Sequence, residues 1–323
     1  MKQQQFEQRY HQDWEQLEQQ LEGKSQSLDQ DFPSRYRQLC HQLALAKHRR
    51  YSQYLLERLN RLVLAAHHRF YQNQLRTSSS RSPAWVEFLL WGFPQSIRAN
   101  AVFVYWSMGL FLVPLFAMGI ATYLNGELLY SFMPAQDVHS TEYMYDPVTN
   151  SGWREPDRDS TTDLMMFGFY IKNNIGIGFQ TFAGGIFLCL GAIFFLVYNG
   201  LAIGGVAGHL TQLGYIDTFY PFVVGHGAFE LTAIVFAGAA GLKLGCAIIS
   251  PGQHSRVTAL RLAATDAIQI VFGVFAMLLI AAFLEAFWSS SSTIGNSIKY
   301  IVGGCFWGFV IVYFVYSGRR HES

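Results

Sequence analysis

Apolar residues are distributed along this chain in two unlike ways, and that segregation constrains the fold more than any motif does. Residues 1–82 are rich in Gln, Arg, His and Glu, whereas nearly every long apolar run lies between Ala101 and Tyr316. In lipid, backbone N–H and C=O groups must be satisfied internally, and about twenty apolar residues rising ~1.5 Å each cross the ~30 Å hydrocarbon core as a helix. The pattern therefore predicts an all-α polytopic membrane helix bundle of about six spans, one short and Gly-rich, behind an N-terminal soluble helical domain. A charged fraction of 14%, against about a quarter in soluble domains, agrees with that division.

The formal net charge of +1 argues against a nucleic-acid partner, since no basic stripe interleaved with aromatics accompanies it. Cys40, Cys189, Cys246 and Cys305 are widely spaced, the last three within apolar runs, so neither a disulfide framework nor a zinc motif is expected. Met1-Lys2-Gln3-Gln4-Gln5 lacks the apolar stretch of a signal peptide. Insertion is then expected to start from an internal helix and to leave the head in the cytoplasm.

Within the head, Phe6, Tyr10, Trp14, Leu17 and Leu21 recur at helical spacing up to the break at Gly23-Lys24-Ser25. One helix cannot bury that face alone. After a second break at Asp31-Phe32-Pro33, Leu39, Leu43, Leu55, Leu59, Leu62 and Ala66 continue the periodicity, so a small bundle over residues 1–82 is expected. Thr77 to Pro83 reads as a linker. Residues 83–97, with Trp85 and Trp91, are too few for a span and suit an interfacial helix, which leaves 98–323 as the transmembrane domain. Expected spans begin with Asn100 to Leu124, where Pro114 should kink rather than break the helix. The acidic connection 125–163, with Glu127, Asp137, Glu142, Asp146, Glu155, Asp157, Asp159 and Asp163, reads as the outer loop. Further spans are expected from Asn173-Asn174 to Tyr198, over the short Gly-rich Leu201 to Gly214, and over Phe222 to Ile249, Ala263 to Trp288 and Ile298 to Tyr316. With the head, the Arg256/Arg261 loop and the Arg319-Arg320 tail on one side, crossings must be even in number, so the Gly-rich piece has to traverse.

An ionisable group at bilayer depth costs roughly 2.5–3.5 kcal/mol on insertion scales, so each needs a partner or a purpose. His226 and Glu230, four residues apart, share one helix face and are within reach of each other. An internal hydrogen bond between them is one reading; an ion or proton pathway is another. Glu285, near the far end of the next long helix, reads as reaching either the interface or the bundle centre; it would complete a one-His, two-carboxylate metal set if it converged on them. Asp266 suits a helix start near the basic loop, and Lys243 suits a snorkelling position. Asn173, Asn174 and Asn199 read as helix-end residues that cap backbone donors or contact a ligand. Gly225, Gly227, Gly238, Gly241 and Gly245 form a small-residue packing face, along which a homodimer is also conceivable. The sequence contains no His-Glu-x-x-His, no Gly-x-Ser-x-Gly and no Walker A loop.

Several of these residues fall in ordered segments that resemble the stage II sporulation protein M family. They are Met166 to Ile175, Phe182 to Ile186, Asn199-Gly200, His226 to Ala233, Gly238 to Leu242 and Ala281 to Phe287. Leu59-Asn60-Arg61-Leu62-Val63 and Ala66-His67 are similar to the head of the longer, non-sporulating members. The resemblance implies a bacterial inner-membrane protein that is not known as an enzyme; the founding member holds together partners that remodel peptidoglycan. It implies no list of catalytic residues and no cofactor, and sporulation is not inherited with the name. The expectation is a scaffold or solute/ion conduit in a cell-envelope assembly, meeting the lipid bilayer through its helices and other envelope proteins through its head, with both termini cytoplasmic. The alternative is an intramembrane metal-dependent hydrolase using His226, Glu230 and Glu285.

Overall fold

A computed structural model describes residues 3–22, 32–49, 51–77, 83–148, 160–291 and 293–318. The expectations placed on Gly23-Lys24-Ser25, on most of the Thr77 to Pro83 linker, on Glu155, Asp157 and Asp159, and on Arg319-Arg320 lie outside those residues. The chain divides into two compact units, Met1–Ala84 and Trp85–Ser323.

Among the described residues the first unit holds three helices, α1 (Gln3–Glu22), α2 (Phe32–His48) and α3 (Gln53–Thr77). Their apolar stripes bury one another. Phe6, Trp14 and Leu17 of α1 meet Phe32, Leu39, Leu43 and Ala46 of α2 and Leu55, Leu59, Leu62 and Ala66 of α3. Phe32 opens α2 instead of preceding it, because Pro33 is tolerated in a first helical turn, where its missing N–H would lack a partner anyway. The buried indole of Trp14 donates through Nε1 to Oε1 of Gln42 at 2.7 Å.

The second unit begins with α4 (Ala84–Glu87), a π-helical turn (Phe88–Gly92) and α5 (Phe93–Ala99), then bends at Asn100 into α6 (Ala101–Leu124). The π turn leaves carbonyls without helical partners, and the hydroxyls of Tyr313 and Ser317 donate to those of Leu89 and Leu90. Phe93 is fully buried against Phe236 and Phe314 and lies over Gly273, where a Cβ would collide with its ring. Trp85 and Trp91 are exposed. Pro114 lies inside an unbroken α6.

The expected outer loop starts with two short helices, α7 (Glu127–Phe132) and α8 (Ala135–Tyr145). Beyond it come α9 (Ser160–Ala183), α10 (Leu190–Gln212), α11 (Ile216–Ile249), α12 (Arg256–Phe283) with a second π-helical turn (Leu284–Ser289), and α13 (Asn296–Tyr316). Among the described residues, five segments are long and apolar enough to cross a membrane: Ala101–Leu124, Leu190–Gln212, Ile216–Ile249, Arg256–Ser289 and Asn296–Tyr316. α9 carries Asp163, Lys172, Asn173 and Asn174 and is more polar, yet it runs through the same bundle.

The boundaries between the second and third expected spans were misplaced. Asn199-Gly200 does not interrupt a helix; it lies in the middle of α10, and Asn199 donates to the carbonyl of Phe195 at 2.7 Å. The break comes earlier, at residues 184–189, where Leu188 and Cys189 take left-handed conformations with φ of 53° and 68°. The Gly-rich piece is thus no short span but the second half of a 23-residue helix. Gly200, Gly204 and Gly208 lie on its α6 side, where a Cβ on each would run into the carbonyls of Phe111, Leu115 and Gly119. Backbone meets protein backbone there, which explains the glycines.

The glycine face of α11 is likewise used within the chain. A Cβ on Gly241 would come within 2.8 Å of the Thr181 carbonyl and 2.9 Å of the Phe182 carbonyl, and one on Gly245 would overlap Cys189. Gly238 sits against Ser107 and Leu196. Gly227 differs, with only an ordinary contact to Val223 at 3.5 Å. Gly238, Gly241 and Gly245, three of the five glycines on that face, thus pack against other segments of this same chain.

Polar contacts define the two ends of the bundle. At one, Asn296 Nδ2 donates to the Asp217 carbonyl at 2.8 Å and Thr218 Oγ1 to the Tyr145 carbonyl at 2.5 Å. At the other, Lys243 Nζ donates to Asn100 Oδ1 and to Asp266 Oδ2, both at 2.8 Å, so Lys243 is paired rather than simply snorkelling and Asp266 answers a cation rather than a helix start. Arg98 donates to the Phe314 carbonyl at the same end.

Candidate functional site

His226 lies ten residues into α11, about 15 Å along the helix axis from its Ile216 end. The site assembles around it. A side chain four residues on lies one turn away on the same face, and Glu230 Oε2 is 3.9 Å from His226 Nε2. That separation is too long for a hydrogen bond, so the pair does not satisfy itself internally. The imidazole meets Ser289 Oγ instead, 3.1 Å from Nδ1, and the ring of Phe222 lies edge-on at 5.3 Å.

Glu285 arrives from the π-helical turn. A π turn inserts an extra residue into the helical repeat and so re-aims the side chains it carries. Here it turns Glu285 into the bundle, presents Ser289 to His226, and lays Trp288 over Gly225, where a Cβ would come within 2.6 Å of the indole. One ligand atom each from His226, Glu230 and Glu285 fall within 4.8 Å of one another. Glu285 therefore does not reach for the interface. It accepts a hydrogen bond from Asn174 Nδ2 at 3.3 Å, and Asn174 is itself buried and accepts from Asn173 Nδ2 at 3.2 Å.

Three helices thus supply the cluster: α9 gives Asn174, α11 gives His226 and Glu230, and the end of α12 gives Glu285 and Ser289. Asn173 is exposed and reaches the cluster only through its neighbour. Asn199 is spent on its own helix. All three asparagines sit within helices and not at their ends, which corrects the capping role expected of them.

Residues that no sequence pattern picked out complete the surroundings. Tyr145, the last residue of α8, stacks edge-on against Phe219 and Phe222, and its phenol is pushed well above the ordinary tyrosine range by burial, with Tyr170, Glu285 and Glu230 adding to the effect. It closes the cluster from the Ile216 end of the bundle. Lys299, completely buried, donates to the carbonyls of Ser289 and Ser291 at 2.6 and 2.8 Å. Ser289 falls just beyond the expected Ala263 to Trp288 span and Lys299 just inside the expected Ile298 to Tyr316 span, where a lysine in an apolar run was the one signal available.

A second polar group anchors α8. Glu142 takes His209 Nε2 at 2.7 Å, His139 Nδ1 at 3.1 Å and the Tyr130 hydroxyl at 3.1 Å. Burial works to raise the Glu142 carboxyl, but those hydrogen bonds outweigh it and hold the group below its ordinary value of 4.5.

A family model described as Stage II sporulation protein M matches residues 101–290, from the start of α6 to just past the second π-helical turn. A model described as Domain of unknown function (DUF8413) matches residues 4–72 in the first unit. No curated protein and no solved structure matches the chain.

Proposed function

Because the chain belongs to the stage II sporulation protein M family, we propose that it is an inner-membrane component of a cell-envelope assembly whose helical core binds and passes a small solute or ion. The N-terminal unit is the part that docks partner proteins. The observation that carries this reading is the convergence of His226, Glu230, Glu285 and Asn174 from three helices at one point inside the bundle. A scaffold alone has no use for it, since apolar residues of similar volume hold helices together at least as well as buried ionic groups do.

Orientation follows from charge. Arg98, Lys243, Arg256 and Arg261 gather towards the Asn100 end, whereas Glu127, Asp137 and Glu142 occupy the opposite one. The positive-inside tendency then puts the Asn100 end, and with it both termini, in the cytoplasm, with α9 as the sixth crossing. The cluster lies in the outer half of the bundle, beneath α8.

The test is replacement of the chromosomal copy by His226→Ala or Glu230→Gln. Each variant should reach the membrane in normal amount and fail to complement the deletion strain, while tagged protein still co-purifies its envelope partners. If both variants insert and complement fully, the conduit fails and only the scaffold survives. The hydrolase alternative shares the same three-residue convergence; it calls for turnover of a lipid or envelope precursor by purified protein.

A further inference from the structure

Protons neutralise a pair of carboxylates held close together in an apolar bundle, but they give the imidazole beside them no task. A divalent cation uses all three groups. Ligand atoms ~2.1 Å from a shared ion lie roughly 3–4 Å apart, so Nε2 of His226 and Oε2 of Glu230 at 3.9 Å need only a small closure to bind one. The third ligand atom, from Glu285, falls within the same 4.8 Å limit.

What surrounds the three donors is what a metal site needs and what a fortuitous cluster lacks. Metal-bound imidazoles hand their other nitrogen to a fixed partner, and ligating carboxylates are themselves hydrogen-bonded. Nδ1 of His226 has Ser289 Oγ, and Glu285 has the Asn174 amide. Ser289 is in turn held by Lys299 through its carbonyl. One imidazole with two carboxylates suits a first-row divalent ion, softer than magnesium or calcium require and harder than thiolate sites select.

We infer that His226, Glu230 and Glu285 bind a first-row divalent transition cation, with Ser289 and Asn174 as positioning residues. The inference rests on the conduit reading and deepens it by naming the class of solute that the core receives.

Full-length protein in detergent, stripped with chelator, is dialysed to equilibrium against Mn²⁺ and, separately, Zn²⁺. The wild type should take up one equivalent of at least one of them. Glu230→Gln should weaken that uptake at least ~100-fold, and Ser289→Ala, which keeps every ligand, by about 10–100-fold. His139→Ala, in the separate Glu142 group, should leave it unchanged. Stoichiometric uptake by neither cation, or uptake equal to wild type in a normally melting Glu230→Gln protein, overturns the site; should Glu230→Gln fail to fold, undiminished uptake by Ser289→Ala overturns it. The two readings fail separately. Loss of complementation in His226→Ala without metal uptake by the wild type removes the cation and keeps the conduit, whereas uptake with full complementation does the reverse.

Discussion

Lys299 donates through Nζ to the carbonyl of Ser289 at 2.6 Å, and the same serine holds the imidazole of His226 through its hydroxyl at 3.1 Å. One buried cation thereby fixes the end of the π-helical turn that carries Glu285 into the cluster. Burying an ammonium inside the bundle is unfavourable unless its donors are satisfied, and here the freed carbonyls at the end of the turn satisfy them.

Lys299→Met removes the donor and leaves the carbonyls of Ser289 and Ser291 to fend for themselves. The expected loss is about 1–3 kcal/mol, because the buried Ser289 carbonyl goes unpaired while the half-buried Ser291 carbonyl can turn to water. It should appear as a lower melting temperature in detergent and, if the turn loosens, as weaker metal uptake even though no ligand has changed. A variant that melts like wild type shows that the two hydrogen bonds contribute nothing net.

The close approach of α6 and α10 gives a second test, one that compares two glycines of the same membrane unit. A Cβ on Gly204 would overlap the Leu115 carbonyl, whereas one on Gly304 meets nothing within 4 Å. Gly204→Ala should force the helices apart and cost about 1–3 kcal/mol, the usual range for overpacking, while Gly304→Ala should be neutral or slightly stabilising through helix propensity. Comparing folded yield and melting temperature of the two variants decides it; equal behaviour refutes the packing assignment.

Why some of this was legible in the sequence and some was not follows from the range of the interactions. His226 and Glu230 face the same way because the helical repeat makes them do so, and Glu285 stood out because a carboxylate in an apolar run has few reasons to be there. Most spans were legible from apolar length, though the more polar α9 was not. Span boundaries were not, because the break at Leu188 and Cys189 is a left-handed pair of ordinary apolar residues, while Asn199-Gly200, which looks like punctuation, is stabilised as helix by contact with α6. Ser289 and Lys299 act over distances of 63 and 10 residues through a π turn, and no local pattern announces such a turn.

The anchor of α8 should show itself in pH dependence. Glu142 titrates below its ordinary value of 4.5 because His209, His139 and Tyr130 donate to it against the effect of burial. A carboxyl whose folded pKa is depressed contributes stability that is fully present above its unfolded pKa and lost as pH falls through the folded one. Glu142→Gln should therefore melt below wild type near pH ~7, with the difference shrinking as pH falls below the ordinary glutamate value and on through the lower folded one. A gap that stays constant down to acid pH means that the carboxylate charge is not what holds α8.

In the N-terminal unit, two polar contacts of similar length should differ in worth. Arg58 grips Glu18 with two hydrogen bonds, at 3.1 and 2.9 Å, and this hydrogen bonding raises the guanidinium pKa further. Both side chains remain partly in water, with 24% and 36% of their surface exposed, so screening and side-chain entropy should limit the pair to less than ~1 kcal/mol. Gln42 is different. Its amide oxygen is the partner of the buried Trp14 Nε1 at 2.7 Å, and Gln42→Leu strands that donor among apolar side chains. The expected cost is about 1–3 kcal/mol. Melting of the α1–α3 unit within the full-length protein, followed by Trp14 fluorescence in chains whose other tryptophans are replaced by Phe, should rank Gln42→Leu clearly below Glu18→Gln. The reverse order would mean that the surface fork, and not the buried pair, sets the register of the three helices.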